Sequence, residues 1–398
     1  MKVVILGAGA MGTGIGQVAA QNGHEVGYYD AYPGAVDRSK ASIDKIFNRL
    51  IEKGRMTEAV KAEVMARMNW SESLSIADGA DLVIEAVIED LAIKKALFTE
   101  VEERVSERAL LCTNTSSLSV AAISSALKHP ERFGGLHFFN PAPLMPLVEI
   151  IPSIQSSDDW AETLESMMTS WGKTPVIAKD TPGFIVNKVA RPYYSEAIKI
   201  LEEGVASIAE IDAALTGVGF KMGPFELMDL IGHDVNFTVT ETVWSQFFYD
   251  PRFRPSITQK RLKEAGMLGR KSGRGFYNYS DDSEGPAALK AAVDLDETLS
   301  DKIVERIICM LANEGLDAVW LGIASADNVD LAMTKGVNYP KGPLAWGAEI
   351  GWSRVLKVLG NCHDYYGDDR YRPCPLLRHL ESGNAELGPG EMDDSFMI

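Results

Sequence analysis

A glycine-rich turn near the start of the chain restricts the fold more than any other stretch. A short β-branched run, Lys2 to Leu6, leads into G-A-G-A-M-G at residues 7–12, and a helical pattern follows from Thr13 to Gln21. In such a turn the first glycine permits the tight bend, the second lets the backbone approach a pyrophosphate, and the third permits close packing of helix on strand. The helix also offers unbonded N–H groups and its positive dipole end to the diphosphate. The motif with its flanking elements predicts a dinucleotide-binding βαβ unit.

The residue that ends the second predicted strand indicates which dinucleotide is bound. Val26 to Tyr29 reads as that strand, and Asp30 follows it, 18 residues after Gly12. A carboxylate there accepts hydrogen bonds from the ribose hydroxyls and repels a 2′-phosphate. Residues 31–33 include no arginine, so the sequence predicts NAD(H) rather than NADP(H).

Polar side chains follow two further predicted strands. The run from Asp81 to Val87 is almost continuously apolar, as expected of a strand buried between helix layers, and Glu89 and Lys94 come after it. Leu110 to Thr113 leads into Asn114 to Ser117, whose hydroxyls can cap the next helix or point into a ligand crevice. Ligands of such sheets bind outside the carboxyl ends of the strands. Glu89 and Lys94 are therefore expected near the nicotinamide ribose.

One histidine and one glutamate lie in the most apolar part of the chain. His137 belongs to a predicted strand, 136–139, and Glu149 to another, 147–151. Three prolines between them predict a stiff connection that returns Glu149 to the side of His137. A carboxylate there would hold the imidazole in one orientation and one tautomer. In the alternative interpretation, the histidine is a core residue, the glutamate lies at a strand end, and each is hydrogen-bonded to backbone.

Basic side chains gather on one predicted helix of an acidic chain. The net charge of −17 opposes nonspecific binding to nucleic acid or anionic membranes. The helix predicted from Pro33 to Gly54 and its end carry a net +3, from Arg38, Lys40, Lys45, Arg49, Lys53 and Arg55 against Asp37, Asp44 and Glu52. Two interpretations of these basic residues remain open: they form a solvated helix face, or they bind a polyanionic ligand.

No feature of the sequence indicates a membrane, an export signal or a metal. The first residues run directly into a strand and leave no room for a signal peptide. The longest uncharged run, Ala109 to Leu127, carries eight Ser, Thr or Asn residues and is not a membrane span. The four cysteines are widely spaced without a metal-ligand pattern, so reduced thiols and no metal site are expected. These features predict a cytoplasmic protein without membrane partners.

The 398 residues divide into several predicted domains. The stretch D-T-P-G-F-I-V-N, Asp180 to Asn187, reads as a hinge, and one long helix is predicted from Phe184 to about Glu203. The predicted boundaries are 1–182 for the nucleotide domain, 183–280 and 299–385 for two helical domains, 281–298 for a polar linker and 386–398 for a disordered tail. The predicted fold class is thus a Rossmann-like doubly wound α/β sheet followed by two all-α domains.

The two helical domains are related by an internal repeat. Asp212 matches Asp330, and the dipeptide at 223–224, Gly-Pro, matches that at 342–343. When the two copies are aligned on Glu203 and Glu314, Asn187 corresponds to Thr298 in the second copy. The second copy is therefore expected to pack against the first, as an intrachain pseudo-dimer, rather than to catalyse; a homodimer of chains also remains open.

Five motifs together resemble the (S)-3-hydroxyacyl-CoA dehydrogenase family. They are the glycine turn ending in Asp30, C-T-N-T-S-S-L, G-L-H-F-F-N-P-x-P, L-V-E-I and D-T-P-G-F-I-V-N-K, and the match runs from Met1 to about Tyr279. The resemblance implies reversible NAD-dependent oxidation of a short-chain (S)-3-hydroxyacyl-CoA, such as 3-hydroxybutyryl-CoA, to the 3-oxoacyl-CoA. Fatty-acid β-oxidation or a related acyl-CoA pathway is the implied setting.

The resemblance also assigns roles to residues. It implies His137 as the general base, Glu149 as its orienting partner, and Ser116 and Asn187 beside the substrate oxygen. Substrate contacts are implied for Ser116, Asn140 and, towards CoA, Lys53. The implied NAD contacts are Gly7, Ala8, Gly9, Ala10, Met11, Gly12, Asp30, Glu89, Lys94, Asn114 and Lys271, the last in the basic, glycine-rich stretch G-R-K-S-G-R-G-F-Y.

Two other functions remain compatible with the sequence. A related NAD-dependent dehydrogenase of a non-CoA hydroxy acid, such as carnitine or a sugar acid, would use the same His–Glu pair. A catalytically silent NAD-binding protein would keep the fold without turnover, although binding alone needs none of the four implied catalytic residues. Assays with acetoacetyl-CoA and free acetoacetate distinguish these classes.

Overall fold

The computed structural model describes residues 1–280 and 282–381. The predicted tail, 386–398, and the end of the predicted second helical domain lie outside the described residues. The chain forms two compact units, one from Met1 to Phe184 and one that begins at Ile185.

The first unit is a sheet of eight strands with helices on its faces. Its elements are β1 (Lys2–Leu6), α1 (Ala10–Gln21), β2 (Glu25–Tyr29), α2 (Ala35–Glu52), α3 (Glu58–Ala66), β3 (Met68–Ser71), β4 (Leu82–Glu85), α4 (Leu91–Glu102), β5 (Leu110–Thr113), α5 (Val120–Ser124), β6 (Phe133–Phe138), β7 (Leu147–Pro152), α6 (Asp158–Ser170) and β8 (Thr174–Ile177). The strand order is β3-β2-β1-β4-β5-β6-β7-β8. The order in which strands are added to the sheet reverses at β1, with β2 on one side and β4 on the other, which places a ligand crevice at the carboxyl ends of β1 and β4.

One strand pairing departs from the parallel pattern of this sheet. β6 and β7 run antiparallel, whereas the neighbouring strands on either side pair in parallel. The central strands are fully buried, with Ile5, Ile84 and Leu111 at 0% exposure. Burial on both faces explains their continuous apolar runs.

The second unit is helical. Its helices are α7 (Val186–Val189), α8 (Arg191–Glu202), α9 (Ile208–Gly217), α10 (Pro224–Ile231), α11 (His233–Gln246), α12 (Ile257–Glu264), α13 (Pro286–Ala291), α14 (Glu297–Trp320), α15 (Ala326–Gly336), α16 (Pro343–Ile350), α17 (Trp352–Tyr366) and α18 (Pro375–Glu381). The predicted linker, 281–298, holds α13 and the start of α14. Lys290 of α13 pairs with Glu226 of α10 at 2.7 Å, so part of the predicted linker packs on the helices. Within the described part of the chain, no helix is long and apolar enough to cross a membrane.

The prediction of one continuous helix from Phe184 to Glu203 is wrong. Phe184 has a φ of 49°, outside the helical region, and α7 begins only at Val186. α7 ends at Val189, and α8 starts with Pro192 in its first turn. Proline has no N–H to donate and its ring crowds the preceding turn, so the α-helical hydrogen bonding is interrupted at Ala190, although the backbone there keeps helical angles.

The two copies of the helical repeat share one capping device. Asp212 accepts hydrogen bonds from the first backbone N–H groups of α10, at 2.9 and 3.0 Å, and Asp330 does the same for α16 at 2.8 and 2.9 Å. A Cβ on Gly223 would lie 2.3 Å from Asp212, and one on Gly342 would lie 2.1 Å from Asp330. The carboxylates of buried Asp212 and half-buried Asp330 thus replace side-chain caps of the helices themselves and require the glycines beside them.

Buried ion pairs join the two copies inside the unit. Lys188, beside the predicted site residue Asn187, is fully buried and pairs with Glu314 at 2.9 Å and Asp317 at 2.8 Å, both on α14. Burial opposes ionisation of Lys188, but the two carboxylates raise its pKa. Arg252 reaches the same carboxylates, at 3.4 and 3.0 Å. The contact between the two copies is therefore charged as well as apolar.

Glu314→Gln is expected to destabilise the fold by about 3 kcal/mol, since removing one partner of a buried pair leaves the other charge uncompensated. The expected cost lies at the low end of the range for breaking a buried ion pair, because Asp317 still faces Lys188 and Arg252. Urea unfolding followed by helical circular dichroism measures it. Glu349→Gln, which breaks the exposed Lys341–Glu349 pair, is the matched control. Equal costs for the two variants would show that the buried network contributes no stability.

Candidate active site

The glycine turn between β1 and α1 has the geometry that the motif predicts. Gly7 has a φ of +104°, and a Cβ there would lie 2.6 Å from the Ala86 carbonyl oxygen. A Cβ on Gly12 would lie 1.8 Å from the Gly7 oxygen, whereas one on Gly9 would meet nothing within 4 Å. Gly9 caps α1 without a side-chain hydrogen bond, and the first turn holds no acidic residue. An open backbone at a helix N-terminus fits a diphosphate.

A cleft of about 770 Å³ extends from this turn over the ends of β2 and β4. Its lining includes Gly7, Ala8, Gly9, Asp30, Tyr32, Arg38, Val87, Ile93 and Leu97. The Asp30 carboxylate is held in place by the backbone N–H groups of Ala8 and Tyr32, each at 2.8 Å. The cleft therefore joins the phosphate turn to a fixed acceptor for ribose hydroxyls, as NAD requires.

Arg38 also lines this cleft, although it is not among residues 31–33, on which the prediction of NAD(H) rests. Arg38 lies in the first turns of α2, and its guanidinium lies 5.5 Å from the centre of the Tyr32 ring. Helical periodicity brings it back towards the strand end, which a search of adjacent residues misses. It belongs to the predicted basic face but stands at the cofactor cleft.

A buried lysine connects the two carboxylates that follow β4. Lys94 is 1% exposed and pairs with Glu85 at 2.5 Å and with Glu89 at 3.1 Å. Glu85, which the sequence analysis left inside an apolar run, is fully buried and also accepts from Val87 N–H and the Thr113 hydroxyl. Lys94 therefore holds Glu89 in position, and its direct contact with NAD stays a prediction.

The electrostatics of the two carboxylates differ. Burial raises the pKa of Glu85, against the attraction of Lys94. For Glu89, burial also opposes ionisation, but Lys94 and hydrogen bonds from Thr115 and Ser116 lower its pKa. Glu89 is thus ionised one residue beyond Ile88, which lines the cleft, and an ionised carboxylate can accept hydrogen bonds from hydroxyl groups.

The loop after β5 is tied to Glu89 and to β6. Glu89 accepts from the Thr115 hydroxyl at 2.5 Å and from Ser116 N–H at 2.9 Å. The side-chain oxygen of Asn114 accepts from Phe138 N–H at 2.8 Å, so this residue bonds directly beside His137. Ser116 and Asn114 are half-buried. The structure thus brings these predicted residues into one strand-end region with Glu89.

His137 and Glu149 form a buried pair. They are directly opposite in the antiparallel register of β6 and β7, and His137 Nδ1 lies 2.7 Å from Glu149 Oε2. Glu149 is fully buried and His137 is 6% exposed, and Phe139 and Phe184 pack near the imidazole ring. The expected proximity is present, but strand register rather than proline stiffness sets it. Pro141 and its neighbours only provide the connection.

Of the remaining predicted site residues, two belong to the NAD-binding unit and two to the helical unit. Lys53 caps the end of α2 and is exposed, as is Asn140 in the β6–β7 connection. Asn187 is half-buried on α7. Lys271 pairs with Asp234 at 2.5 Å, and Asp229 anchors its loop through Phe276 N–H and Tyr277 N–H. The site roles of these four residues stay predictions.

Two family models match the chain. The 3-hydroxyacyl-CoA dehydrogenase NAD binding domain matches residues 2–181, and the C-terminal domain of the same family matches 183–279 and 303–387. The chain belongs to the 3-hydroxyacyl-CoA dehydrogenase family. The C-terminal model covers both helical copies, and the NAD-binding model agrees with the cleft geometry, so NAD is the cofactor of this family member.

Similar proteins differ in whether they extend over the second copy. The 3-hydroxyadipyl-CoA dehydrogenase of Escherichia coli K12 is 40% identical over 96% of this chain and 98% of its own. A crystal structure of 3-hydroxybutyryl-CoA dehydrogenase from Escherichia coli K12 superposes with a TM-score of 0.89 at 38% identity, covering 97% of this chain and 99% of that one. A probable 3-hydroxybutyryl-CoA dehydrogenase of Deinococcus radiodurans, 41% identical, covers 70% of this chain but 100% of its own.

Asp30→Ala is expected to erode the preference of this dehydrogenase for NADH over NADPH by about ten- to hundredfold, the worth of charge-assisted hydrogen bonds to the ribose. Arg38 should contribute by attracting the 2′-phosphate once the carboxylate is gone. The measurement is kcat/KM with each reduced cofactor. The double variant Asp30→Ala/Arg38→Ala should lose the gained NADPH activity. An unchanged ratio in the single variant would place cofactor selectivity elsewhere.

Proposed function

We propose that this protein catalyses reversible hydride transfer between C3 of a short-chain (S)-3-hydroxyacyl-CoA and NAD, giving the 3-oxoacyl-CoA. Family membership and the fit of the cleft to NAD support the reaction class. The observation that carries the proposal is the buried His137–Glu149 pair on a strand end of the NAD-binding unit. A protein that only bound the cofactor would not need a buried carboxylate hydrogen-bonded to a histidine.

The His–Glu geometry suits transfer of the hydroxyl proton. Bound NAD supplies the hydride acceptor. His137 Nδ1 is bonded to Glu149, so Nε2 is the nitrogen that accepts the proton of the C3 hydroxyl as the C3–H bond breaks. The Glu149 carboxylate stabilises the imidazolium that results and keeps the ring in one tautomer. In reduction the imidazolium returns the same proton to the ketone oxygen.

The other site residues receive supporting roles in the proposal. The Ser116 hydroxyl and the Asn187 amide polarise the thioester or the C3 oxygen. Glu89, held by Lys94, accepts hydrogen bonds from the nicotinamide ribose. Lys53, exposed at the end of α2, contacts CoA. The relatives named for 3-hydroxybutyryl-CoA and 3-hydroxyadipyl-CoA support an acyl-CoA substrate.

His137→Ala is expected to lower kcat by about 10²–10⁴, the usual worth of a general base, or roughly 3–5 kcal/mol of barrier. Acetoacetyl-CoA reduction followed by NADH absorbance gives kcat, and NADH fluorescence titration checks that the cofactor still binds. Glu149→Gln should lower kcat less, because the imidazole remains. A near-normal kcat for His137→Ala with intact NADH binding would remove His137 from the mechanism.

The pH profiles of the two directions should oppose each other. Oxidation needs the neutral imidazole and therefore accelerates as pH rises, whereas reduction needs the imidazolium and accelerates as pH falls. Initial rates in both directions across pH 5–9 measure this. Parallel profiles would mean that a group other than His137 carries the proton.

Substrate tests separate this proposal from its alternatives. Reduction of acetoacetyl-CoA but not of acetoacetate supports a CoA thioester substrate. Reduction of free acetoacetate with equal kcat/KM supports a hydroxy-acid dehydrogenase that does not use CoA. NADH binding without turnover of any 3-oxoacyl-CoA supports a silent NAD-binding protein.

The proposal for assembly follows from the helical repeat. α7 and α8 of the first copy pack against α14 of the second, and ion pairs cross this contact from Lys188 of α7 and from Arg306 of α14. We infer that this intrachain pseudo-dimer takes the place of a contact between two chains. Sedimentation at the mass of one chain is the expected result, and a stable two-chain particle would contradict it.

A further inference from the structure

Four arginines of the described chain are less than one-tenth exposed: Arg132, Arg191, Arg252 and Arg370. Three of them face a carboxylate: Arg132 faces Glu102 at 3.6 Å, Arg252 faces Asp317 at 3.0 Å, and Arg370 faces Glu196 at 3.9 Å. Arg191, at 4% exposure, forms no ion pair with any residue that the structure describes. A buried cation without a counter-charge is costly, so this exception calls for a physical reason.

Arg191 uses little of its hydrogen-bonding capacity. Its Nη1 donates to the Thr240 hydroxyl at 3.0 Å, and that hydroxyl donates in turn to the Asn236 carbonyl at 2.9 Å. Its guanidinium lies 5.0 Å from the centre of the Tyr194 ring. Its Nε is buried without a partner among the described residues. A guanidinium has five N–H donors in a fork that matches a carboxylate, and here one is bonded within the protein.

One further donor without an acceptor lies near Arg191, and another lies on the helix that holds Thr240. The Tyr339 hydroxyl and Trp244 Nε1 are also buried without partners in the described part of the chain. Trp244 follows Thr240 by one turn on the same face of α11. Burial raises the pKa of Tyr339 well above its ordinary value, and the charge of Arg191 acts on it in the opposite direction, so the two groups are near each other. The cluster offers donors to an acceptor that the protein itself does not provide.

The repeat shows that the fold does not need a buried arginine here. By the same alignment that matches Asn187 with Thr298, Arg191 matches Lys302 in the second copy. Lys302 is exposed near the start of α14. The cation is therefore buried only in the copy that carries Asn187, which points to a ligand rather than to packing.

The position of Arg191 relative to Asn187 indicates which ligand. Arg191 follows Asn187 by four residues, and Ala190 between α7 and α8 keeps helical angles of −76° and −12°. Side chains four residues apart on a helical backbone lie on one face with Cβ atoms roughly 5–6 Å apart. That spacing corresponds to a few methylene groups, the distance from C3 of an acyl chain to its far end.

We propose that Arg191, with Thr240 beside it, binds a carboxylate at the far end of the acyl chain, so that the preferred substrates are CoA thioesters of dicarboxylic acids. This inference rests on the proposed function, because it takes Asn187 as a contact to the reacting end of the substrate. A bidentate Arg–carboxylate pair would supply both the missing counter-charge and the missing acceptors.

The test compares 3-oxoadipyl-CoA with 3-oxohexanoyl-CoA, which share a six-carbon chain and differ in the terminal carboxylate. The wild-type protein should show the higher kcat/KM for 3-oxoadipyl-CoA with NADH. Arg191→Met should lower the ratio of the two kcat/KM values about ten- to hundredfold, the worth of hydrogen bonds to a charged group. Its unfolding temperature should not fall, because methionine replaces an unpaired buried charge with an apolar chain.

Arg370→Met is the matched control, since Arg370 is equally buried but already faces Glu196. It should lower the unfolding temperature and leave the substrate ratio unchanged. If Arg191→Met does not fold, Thr240→Val removes the hydroxyl that holds the guanidinium and should lower the ratio severalfold.

The outcomes separate this inference from the proposed function. Equal losses on both substrates in Arg191→Met would assign Arg191 to CoA binding or to structure and overturn the inference. A wild-type protein that reduces 3-oxohexanoyl-CoA without preferring 3-oxoadipyl-CoA overturns it as well, while the proposed function stands. Turnover of neither thioester overturns the proposed function itself.

Discussion

The antiparallel register between β6 and β7 determines where His137 and Glu149 lie in the NAD-binding unit. Side chains alternate between the faces of a sheet, so a slip of one residue would move Glu149 to the face opposite His137. Leu136 and Ile150 are paired directly across the two strands and are fully buried. They oppose such a slip because it would change their packing. A buried carboxylate also needs a partner, and His137 is that partner. The apolar core therefore fixes a polar contact.

A second buried link connects this strand pair to the cofactor cleft. Lys94 binds Glu85 at the end of β4 and Glu89 beyond it, and Glu89 bonds the loop that contains Ser116. Asn114 in that loop bonds the backbone of β6 next to His137. Glu89, Ser116 and His137 are thus coupled through bonds that start on rigid strands. Sites supported in this way hold their geometry better than sites on free loops.

The sequence predicted most strands of the sheet, because buried parallel strands are apolar runs with turn residues at their ends. β3 (Met68–Ser71) and β8 (Thr174–Ile177) were missed, since each has four residues of mixed polarity at or near a sheet edge. Lys94 illustrates a different limit. A lysine that follows a strand end is predicted to contact the cofactor. Only the fold shows that Lys94 forms an ion pair with Glu85, which lies inside an apparently apolar run. Arg38 reaches the cleft because helical periodicity brings it back towards the end of β2. The residues adjacent to Asp30 in the sequence do not reveal this.

The helical repeat shows how one fold can be kept while its chemistry changes. Both copies preserve the aspartate that caps the next helix and the glycine that makes room for it, because these define the backbone path. Between the copies the positions of Asn187 and Arg191 become Thr298 and Lys302, both exposed. A polar amide and a buried guanidinium cost stability, and nothing in the shared backbone requires them. Their presence in one copy alone supports the proposal that they contact a ligand, and the second copy serves as the internal reference for that proposal.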